Sequence, residues 1–320
     1  MPILSDPTIC FAHVAYRLGD EFAARGSPCR AFEVRALDEL HGRIGEADVL
    51  VVSGLWRNEL LERAARLRFI QSIGAGTDQF PRDLLRQRNI RLASAQGVNE
   101  RAVSEHAMAL ILALTRQLHF ARDNQARHAW RGMIADPSRR EEELGGKTLL
   151  IVGLGRIGSR LASLARAFGL RVIAVKRRPE PSAVADAVVA SDRLGEVLPE
   201  ADFVALTCPL TPETEGLIGA AELARMKPSA YLVNVARGRV VVEEALIAAL
   251  RESRIAGAGL DCFHEEPLPA SSPFWDFANV LVTPHSAGET RRYESNVVDV
   301  LLENLDRLAA GKTELMNQVV

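Results

Sequence analysis

Short apolar runs alternate with helical segments along the chain from residue 145 onward. The runs are TLLIV, VIAV, FVALT, YLVNV, GAGL and VLVT. Uninterrupted apolar runs of this length are typical of strands buried on both faces, and their alternation with helices predicts a doubly wound parallel sheet of six strands. The helix after the first run should end at Gly169 and pack on this sheet. Its apolar face consists of Ile157, Leu161, Leu164, Ala165 and Phe168.

The first third of the chain repeats the pattern on a smaller scale. The segments TICFAH, AFEV, DVLVV, FIQSI and IRLA are strand candidates and predict a second α/β domain. A long helical segment lies between the two domains, and its middle, from Ala107 to Leu114, is apolar all the way round. We expect such a helix to be buried on every side, either inside the chain or against a partner subunit.

Composition narrows the range of partners. The 320 residues are enough for two domains. Lys and Arg number 39 against 41 Asp and Glu, so no broad basic face favours nucleic acid or an anionic membrane. The first 22 residues lack a leader pattern and no run approaches about 20 apolar residues, so we expect a cytoplasmic protein without a membrane span.

The cysteines predict neither a metal site nor a disulfide framework. They are scattered without any CxxC pair, so they are expected to be reduced thiols. These residues are Cys10, Cys29, Cys208 and Cys262.

The first strand of the second domain runs directly into GLGRIG, where Gly153, Gly155 and Gly158 form a GxGxxG pattern. Glycines at a strand-to-helix turn permit a tight turn and let a pyrophosphate approach the helix N-terminus. The motif alone is weak, because glycine-rich turns also occur for structural reasons. A strand before it, a periodic helix after it and a further strand together predict a dinucleotide site.

Four chemically active residues follow later strands of the same domain: Arg237, Asp261, Glu266 and His285. Ligands of such sheets bind beyond the carboxyl ends of the strands. An arginine can hold a carboxylate with two parallel hydrogen bonds, and a histidine beside a carboxylate can act as an acid near neutral pH. Together with a nicotinamide, these groups predict reduction of a 2-oxo acid.

Each of these residues also has a purely structural interpretation. Arg237 could form a surface ion pair, Glu266 could be a loop charge, and His285 could cap the last strand. Their common position at one edge of one sheet favours the functional interpretation. The other histidines are poorer candidates by position: His13, His41, His106, His119, His128 and His264.

Several longer segments resemble the D-isomer-specific 2-hydroxyacid dehydrogenases. They are GKTLLIVGLGRIGSRLASLARAFGLRVIAV, CPLTPETEGLIG, MKPSAYLVNVARGRVVVEEALIAAL, AGAGLDCFHEEPLP and NVLVTPHSAG, with FIQSIGAGTDQF and NERAVSEHAMALILAL in the first part of the chain. The resemblance implies a Rossmann-type dinucleotide domain over residues 99–288, inserted into a smaller flavodoxin-like substrate domain over residues 1–98 and 289–320. It also implies a homodimer.

The resemblance assigns roles residue by residue. Arg237 matches the arginine that holds the substrate carboxylate, and Glu266 and His285 match the acid/base pair. Ala75 and Gly76 match the loop whose backbone N–H groups meet that carboxylate. His285 also belongs to the substrate site.

The resemblance also implies a set of cofactor contacts, in which Asp261 lies near the nicotinamide amide. The set comprises Gly153, Gly155, Arg156, Ile157, Gly158, Thr207, Cys208, Pro209, Val235, Ala236, Arg237, Asp261, His285, Ala287 and Gly288.

The chain departs from the family where the second strand of the dinucleotide domain ends. Most members have an aspartate there, which accepts hydrogen bonds from the ribose hydroxyls, whereas this chain has Lys176, Arg177 and Arg178. These cations would attract a ribose 2′-phosphate and predict a preference for NADP(H), with NAD(H) as the alternative cofactor. A solvated basic turn is the structural interpretation.

The sequence therefore predicts NAD(P)H-dependent reduction of a 2-oxo acid to a D-2-hydroxy acid. Glyoxylate and hydroxypyruvate are plausible substrates. Bulkier 2-oxo acids stay an alternative, because the pocket comes from the less recognisable first domain, around Leu55 and Trp56. One alternative is a dinucleotide-sensing protein like the family's corepressors. The other is an enzyme like phosphoglycerate dehydrogenase, which we expect less because no regulatory domain follows residue 320. Glu266 argues against the formate-oxidising branch, which has glutamine there.

Overall fold

The computed structural model describes residues 6–320, and the first five residues of the predicted substrate domain lie outside the described part. The chain divides into two compact units. One contains the residues up to Asn99 together with Glu289–Val320, and the other contains Glu100–Gly288. Among residues 6–320, no helix is both long enough and apolar enough to cross a bilayer.

The first unit contains a five-stranded parallel sheet in the order β2-β1-β3-β4-β5, which is the flavodoxin-like order. All five predicted strands are confirmed: β1 (Thr8–Ala12), β2 (Arg30–Val34), β3 (Val49–Val52), β4 (Phe69–Ser72) and β5 (Arg91–Ala93). The helices are α1 (Leu18–Ala24), α2 (Leu37–Arg43), α3 (Arg82–Gln87) and α10 (Tyr293–Ala309), with 3₁₀ helices at Ile44–Glu46 and Asn58–Glu62.

The C-terminal helix α10 is fastened to this sheet by Asn304, which has no exposed surface. Its side-chain amide donates to the side-chain oxygen of Gln71 on β4 at 3.0 Å, and its own oxygen accepts from the backbone N–H of Met316 at 2.7 Å. Buried amides need such partners, since an unpaired one costs about 1–3 kcal/mol.

Trp56 belongs to the core of the first unit, so the expectation that it lines the substrate pocket needs correction. Only 4% of Trp56 is exposed, its ring lies 5.0 Å from that of Phe80, and its indole N–H donates to Asn58. The adjacent Leu55 packs against the same core and is half-buried. An aromatic residue so enclosed contributes to stability and offers little surface to a ligand.

The second unit contains a seven-stranded parallel sheet in the order β12-β11-β10-β9-β6-β7-β8, so the predicted doubly wound parallel architecture is confirmed. The strands are β6 (Thr148–Val152), β7 (Arg171–Lys176), β8 (Ala187–Ala190), β9 (Phe203–Leu206), β10 (Tyr231–Asn234), β11 (Gly257–Leu260) and β12 (Val280–Val282). The chain order reverses at β6, which has β7 on one side and β9 on the other.

The helices of this unit cover the sheet. They are α4 (Glu100–Thr115), α5 (Leu118–Ala126), α6 (Arg156–Ala167), α7 (Leu194–Val197), α8 (Ala220–Arg225) and α9 (Glu243–Arg251). The 3₁₀ helices are Pro137–Arg139, Ser191–Arg193, Leu198–Glu200, Gly238–Val240 and Pro273–Trp275.

Two expectations for this unit were wrong. The count of six strands omitted β8, a half-buried edge strand of four residues, AVVA, that pairs with β7. Such a short strand has little periodicity to detect. Phe168 does not belong to the buried face of α6, because it lies just after the helix and is 46% exposed. Gly169 ends the helix as predicted, with φ of +77°.

The long apolar segment forms two helices rather than one, and they are separated at Gln117, which has φ of +52°. Within α4, Ala107 and Ile111 have no exposed surface and face the interior. Ala109 is exposed and Leu112 is half-buried in the single chain. Burial on every side is therefore not achieved within the chain itself.

Candidate active site

The glycine-rich turn between β6 and α6 is tight because glycines let backbones touch. A Cβ on Gly153 would lie 2.7 Å from Cys208, and one on Gly158 would lie 2.3 Å from the carbonyl oxygen of Gly153. The hydroxyl of Thr207 donates to that same oxygen at 2.7 Å. A Cβ on Gly155, by contrast, would meet nothing within 4 Å. Neighbouring backbone therefore packs tightly against Gly153 and Gly158, whereas the space next to Gly155, at the N-terminus of α6, is open. An open helix N-terminus of this kind can bind a pyrophosphate.

The other predicted cofactor residues follow neighbouring strands at the same edge of the sheet, because all seven strands are parallel. The carboxyl ends of β6 and β9, where the chain order reverses, lie side by side, and ligands of such sheets bind at this point. Thr207, Cys208 and Pro209 follow β9; Val235, Ala236 and Arg237 follow β10; Asp261 follows β11; and His285, Ala287 and Gly288 follow β12.

Asn234 at the end of β10 fixes the loop that carries Arg237. Only 1% of Asn234 is exposed, and its side chain accepts from the N–H of Ala236 and donates to the carbonyl of Arg237, both at 3.0 Å. Sequence reasoning missed this residue. Its signal is a polar side chain at the end of an otherwise apolar strand, YLVN.

Gly238 brings the loops after β10 and β11 into contact. A Cβ at this position would lie 2.0 Å from the carbonyl carbon of Phe263, so no other residue fits without moving one loop. The backbone N–H of Phe263 donates to Glu266 at 2.9 Å and fixes that carboxylate in turn. Arg237 and Glu266 are therefore held by loops that touch each other.

His285 and Glu266 form a direct pair. The Nδ1 atom of His285 lies 2.7 Å from an Oε atom of Glu266, and the two side chains are 44% and 35% exposed. With Nδ1–H donated to the carboxylate, Nε2 is the nitrogen available for proton exchange with a ligand.

This pairing keeps the imidazole protonated to higher pH. The hydrogen bond to Glu266 raises the pKa of His285 above its usual value, although burial and the charge of Arg237 act against it. For Glu266, burial favours the neutral acid, but the hydrogen bonds from His285 and the N–H of Phe263 outweigh it and lower the carboxyl pKa. The pair therefore favours imidazolium beside carboxylate, which is the form that can donate a proton.

Asp261 organises the loop that carries His285. Only 2% of Asp261 is exposed, and its carboxylate accepts from the hydroxyl of Thr283 at 2.6 Å and from the N–H groups of Ser286 and Ala287 at 3.0 Å. His285 between them has φ of +53°, a left-handed conformation that costs a non-glycine residue roughly 1–2 kcal/mol. Hydrogen bonds on both sides of His285 hold this conformation.

His106, which sequence position alone ranked among the poorer candidates, joins the same network. Its Nε2 lies 3.0 Å from the hydroxyl oxygen of Thr283 and 3.7 Å from Asp261. His106 is separated from Thr283 by 177 residues of sequence, so no local pattern could have indicated the contact.

The basic turn after β7, which we define as Lys176 at the end of the strand with Arg177 and Arg178 directly after it, is accessible. Arg177 and Arg178 are exposed, and Lys176 lies 3.6 Å from Glu180. Exposed ion pairs of this kind contribute about 0–1 kcal/mol, so Glu180 is a weak competitor for another anion. No acidic residue occupies the end of β7.

Ala75 and Gly76 belong to the first unit, where they follow β4 and are half-buried. The adjacent Gly74 donates its backbone N–H to the hydroxyl of Ser72 at 3.2 Å, which shapes the beginning of this loop.

The sequence is similar to a known protein family and to known reductases. The family described as D-isomer specific 2-hydroxyacid dehydrogenase, NAD binding domain, matches residues 108–287. The chain is 38% identical over 271 residues to the glyoxylate reductase of Aeropyrum pernix, which covers 82% of this chain and 80% of the relative. It is 37% identical over 275 residues to glyoxylate/hydroxypyruvate reductase B of Yersinia enterocolitica, which covers 85% and 84%.

The fold is also similar to a solved structure. The crystal structure of a D-isomer specific 2-hydroxyacid dehydrogenase family protein from Aeromonas salmonicida superposes with a TM-score of 0.86 at 30% sequence identity. The match covers 99% of both chains.

Replacing Glu266 by Gln should lower the pKa of His285, because it removes the carboxylate that stabilises the imidazolium. The imidazole should then lose its proton at lower pH than in the parent, and NMR titration of the histidine ring protons measures this directly. Glu265→Gln removes a neighbouring exposed charge and is the matched control. An unchanged His285 titration in Glu266→Gln would contradict the assigned cause of the shift.

Proposed function

The chain belongs to the D-isomer-specific 2-hydroxyacid dehydrogenase family, and we propose that it reduces a short 2-oxo acid, such as glyoxylate or hydroxypyruvate, preferentially with NADPH. It is an oxidoreductase that interconverts 2-oxo and 2-hydroxy acids with NAD or NADP. One observation supports the proposed residue roles best. His285 and Glu266 are paired at 2.7 Å, and they lie at the same edge of the sheet as Arg237 and the glycine-rich turn.

The proposed mechanism divides the work among three side chains. His285 donates its Nε2 proton to the substrate oxygen, and Glu266 holds the ring by Nδ1 and stabilises its charge. Arg237 binds the substrate carboxylate, aided by the backbone N–H groups of Ala75 and Gly76. When bound, the reduced nicotinamide supplies the hydride. Asp261 would also lie near its amide.

The names of the relatives support a small substrate. The Aeropyrum pernix relative is a glyoxylate reductase, and the Yersinia enterocolitica relative is a glyoxylate/hydroxypyruvate reductase. Both align with more than four fifths of this chain. A panel of 2-oxo acids that includes glyoxylate, hydroxypyruvate and 3-phosphohydroxypyruvate, assayed with NADPH and NADH, identifies the substrate. No turnover of any of them would favour a dinucleotide-sensing role instead.

Replacing His285 by Ala should lower kcat by about 10²- to 10⁴-fold, because proton donation is lost. Cofactor binding, measured by quenching of protein fluorescence or by calorimetry, should remain close to that of the parent. His41→Ala, on helix α2 of the first unit, is the matched control and should keep full activity. A His285→Ala enzyme as fast as the parent would show that another group supplies the proton.

The proposed preference for NADPH depends on the basic turn after β7. A ribose 2′-phosphate carries negative charge that Lys176, Arg177 and Arg178 can bind by charge-assisted hydrogen bonds, each worth about 1.5–3 kcal/mol before desolvation and ordering. The weak pair between Lys176 and Glu180 would be exchanged for a stronger one. The absence of an acid at the end of β7 removes the group that would repel the phosphate.

The triple variant Lys176→Asp, Arg177→Ala, Arg178→Ala should shift the enzyme toward NADH, mainly through the KM for the cofactor. Two phosphate contacts at an exposed site imply an NADPH preference of about 10- to 100-fold in the parent, which should weaken as salt rises. Arg171→Ala removes a cation at the other end of β7 and should leave the preference unchanged. Equal use of both cofactors by the parent at low salt would contradict the proposal.

We also propose that the protein forms a homodimer through α4, α5 and the segment after them. This part of the chain exposes several large apolar side chains, with Trp130 and Met133 fully exposed and Leu118 54% exposed. Clustered exposed apolar residues mark interaction surfaces, and aromatic residues and Met are enriched there. Ala109 of α4 is a further exposed apolar residue in this part of the chain.

Replacing Trp130 and Met133 by Asp should convert the dimer to a monomer, because two charges would be buried in the interface. Sedimentation equilibrium measures the mass of each species. Phe168→Asp changes an exposed apolar residue outside this segment and should leave the dimer intact. A parent that sediments at 34.9 kDa, the mass of one chain, would refute the proposed assembly.

A further inference from the structure

His106 is close to Asp261 because α4 packs directly on β11. A Cβ on Gly259 would lie 3.0 Å from Cβ of Leu110, so the missing side chain lets the helix rest closely on the strand. His106 precedes Leu110 by four residues, a helix rise of about 6 Å, and Asp261 follows Gly259 by two, a strand rise of about 6.6 Å. The two displacements are similar in length, and Nε2 of His106 lies 3.7 Å from an Oδ atom of Asp261.

The hydrogen-bond order in this network can be assigned. The ionised carboxylate of Asp261 can only accept, so the 2.6 Å bond uses the single hydroxyl proton of Thr283. The hydroxyl oxygen of Thr283 must then accept from the Nε2–H of His106 at 3.0 Å. The network therefore requires His106 to carry a proton on Nε2, and its direction runs from His106 through Thr283 to Asp261.

This network ends at the loop after β12, which carries His285, the proposed acid. Thr283 lies two residues before His285, while Ser286 and Ala287 lie directly after it, and all three donate to Asp261. The left-handed conformation of His285 is thus bounded by bonds to one carboxylate on both sides. A rotation of the Thr283 side chain would release one of these sides.

We propose that His106 is a positioning residue for His285, and that it acts by holding the Thr283 hydroxyl in the orientation that bonds Asp261. The inference rests on the proposed role of His285 as the acid. Loss of the His106 N–H would let the Thr283 hydroxyl turn away, free the loop and misplace the Nε2 proton of His285. Misplacement by about 1 Å can cost as much as 10²-fold in rate.

The decisive comparison is between His106→Gln and His106→Asn. Gln carries an amide N–H about where Nε2 lies and should keep kcat within about threefold of the parent, whereas the shorter Asn cannot reach Thr283 and should lower kcat by about 10- to 100-fold. His106→Leu should resemble Asn. In all three variants the KM for NADPH should change much less than kcat, because the glycine-rich turn, the basic turn and the loops after β9 and β10, which carry most of the proposed cofactor contacts, are untouched. His41→Leu is the matched control.

A double-mutant cycle with Thr283→Val tests the path. Val removes the hydroxyl through which His106 acts, so adding His106→Leu to Thr283→Val should lower kcat by less than about threefold further. Independent, multiplying losses would overturn the proposal, as would equal activity of the Gln and Asn variants or a parallel loss of NADPH affinity. If His285→Ala is inactive while His106→Asn is fully active, this inference fails and the proposed function stands.

Discussion

The site depends on one buried charge, the carboxylate of Asp261. A carboxylate that is 2% exposed must be saturated with hydrogen bonds, because an unpaired charge away from water is too costly to keep. Asp261 obtains its donors from the loop after β12, and this demand forces Thr283, Ser286 and Ala287 to converge on it. The left-handed backbone of His285 is a consequence of that convergence. The proposed acid, His285, is thus positioned by a carboxylate that follows the neighbouring strand of the sheet.

Much of this arrangement could be predicted from the sequence, for a definite physical reason. Apolar runs reveal buried parallel strands, and in a parallel sheet the residues directly after each run share one edge. That rule alone selects Arg237, Asp261 and His285 as candidates, and Glu266 is selected by its place in the loop after β11. Asn234, Thr283 and His106 were not, since their contacts depend on side-chain directions and on helix packing across 177 residues. The strand β8 was missed because four half-buried residues carry almost no periodic signal.

The proposed cofactor selectivity and the proposed proton transfer depend on side chains in different environments. The basic turn after β7 is exposed and consists of independent, solvated side chains, so its effect on the cofactor should change gradually with each charge. The acid and its partners are joined through shared hydrogen bonds and buried groups. The loss of a single partner in such a network costs more than one hydrogen bond, because it leaves other buried groups unsatisfied.

The contact between Gly238 and Phe263 has a consequence for how this scaffold can diverge. Since no side chain fits at Gly238 unless one loop moves, neither of the loops after β10 and β11 can acquire bulk at this contact without displacing the other. A substitution at this contact would therefore displace the loops of Arg237 and Glu266 together. With the proposed roles of Arg237 and Glu266, new substrate preferences are expected to arise through residues outside these two loops, so that the reaction stays the same while the range of accepted acids varies.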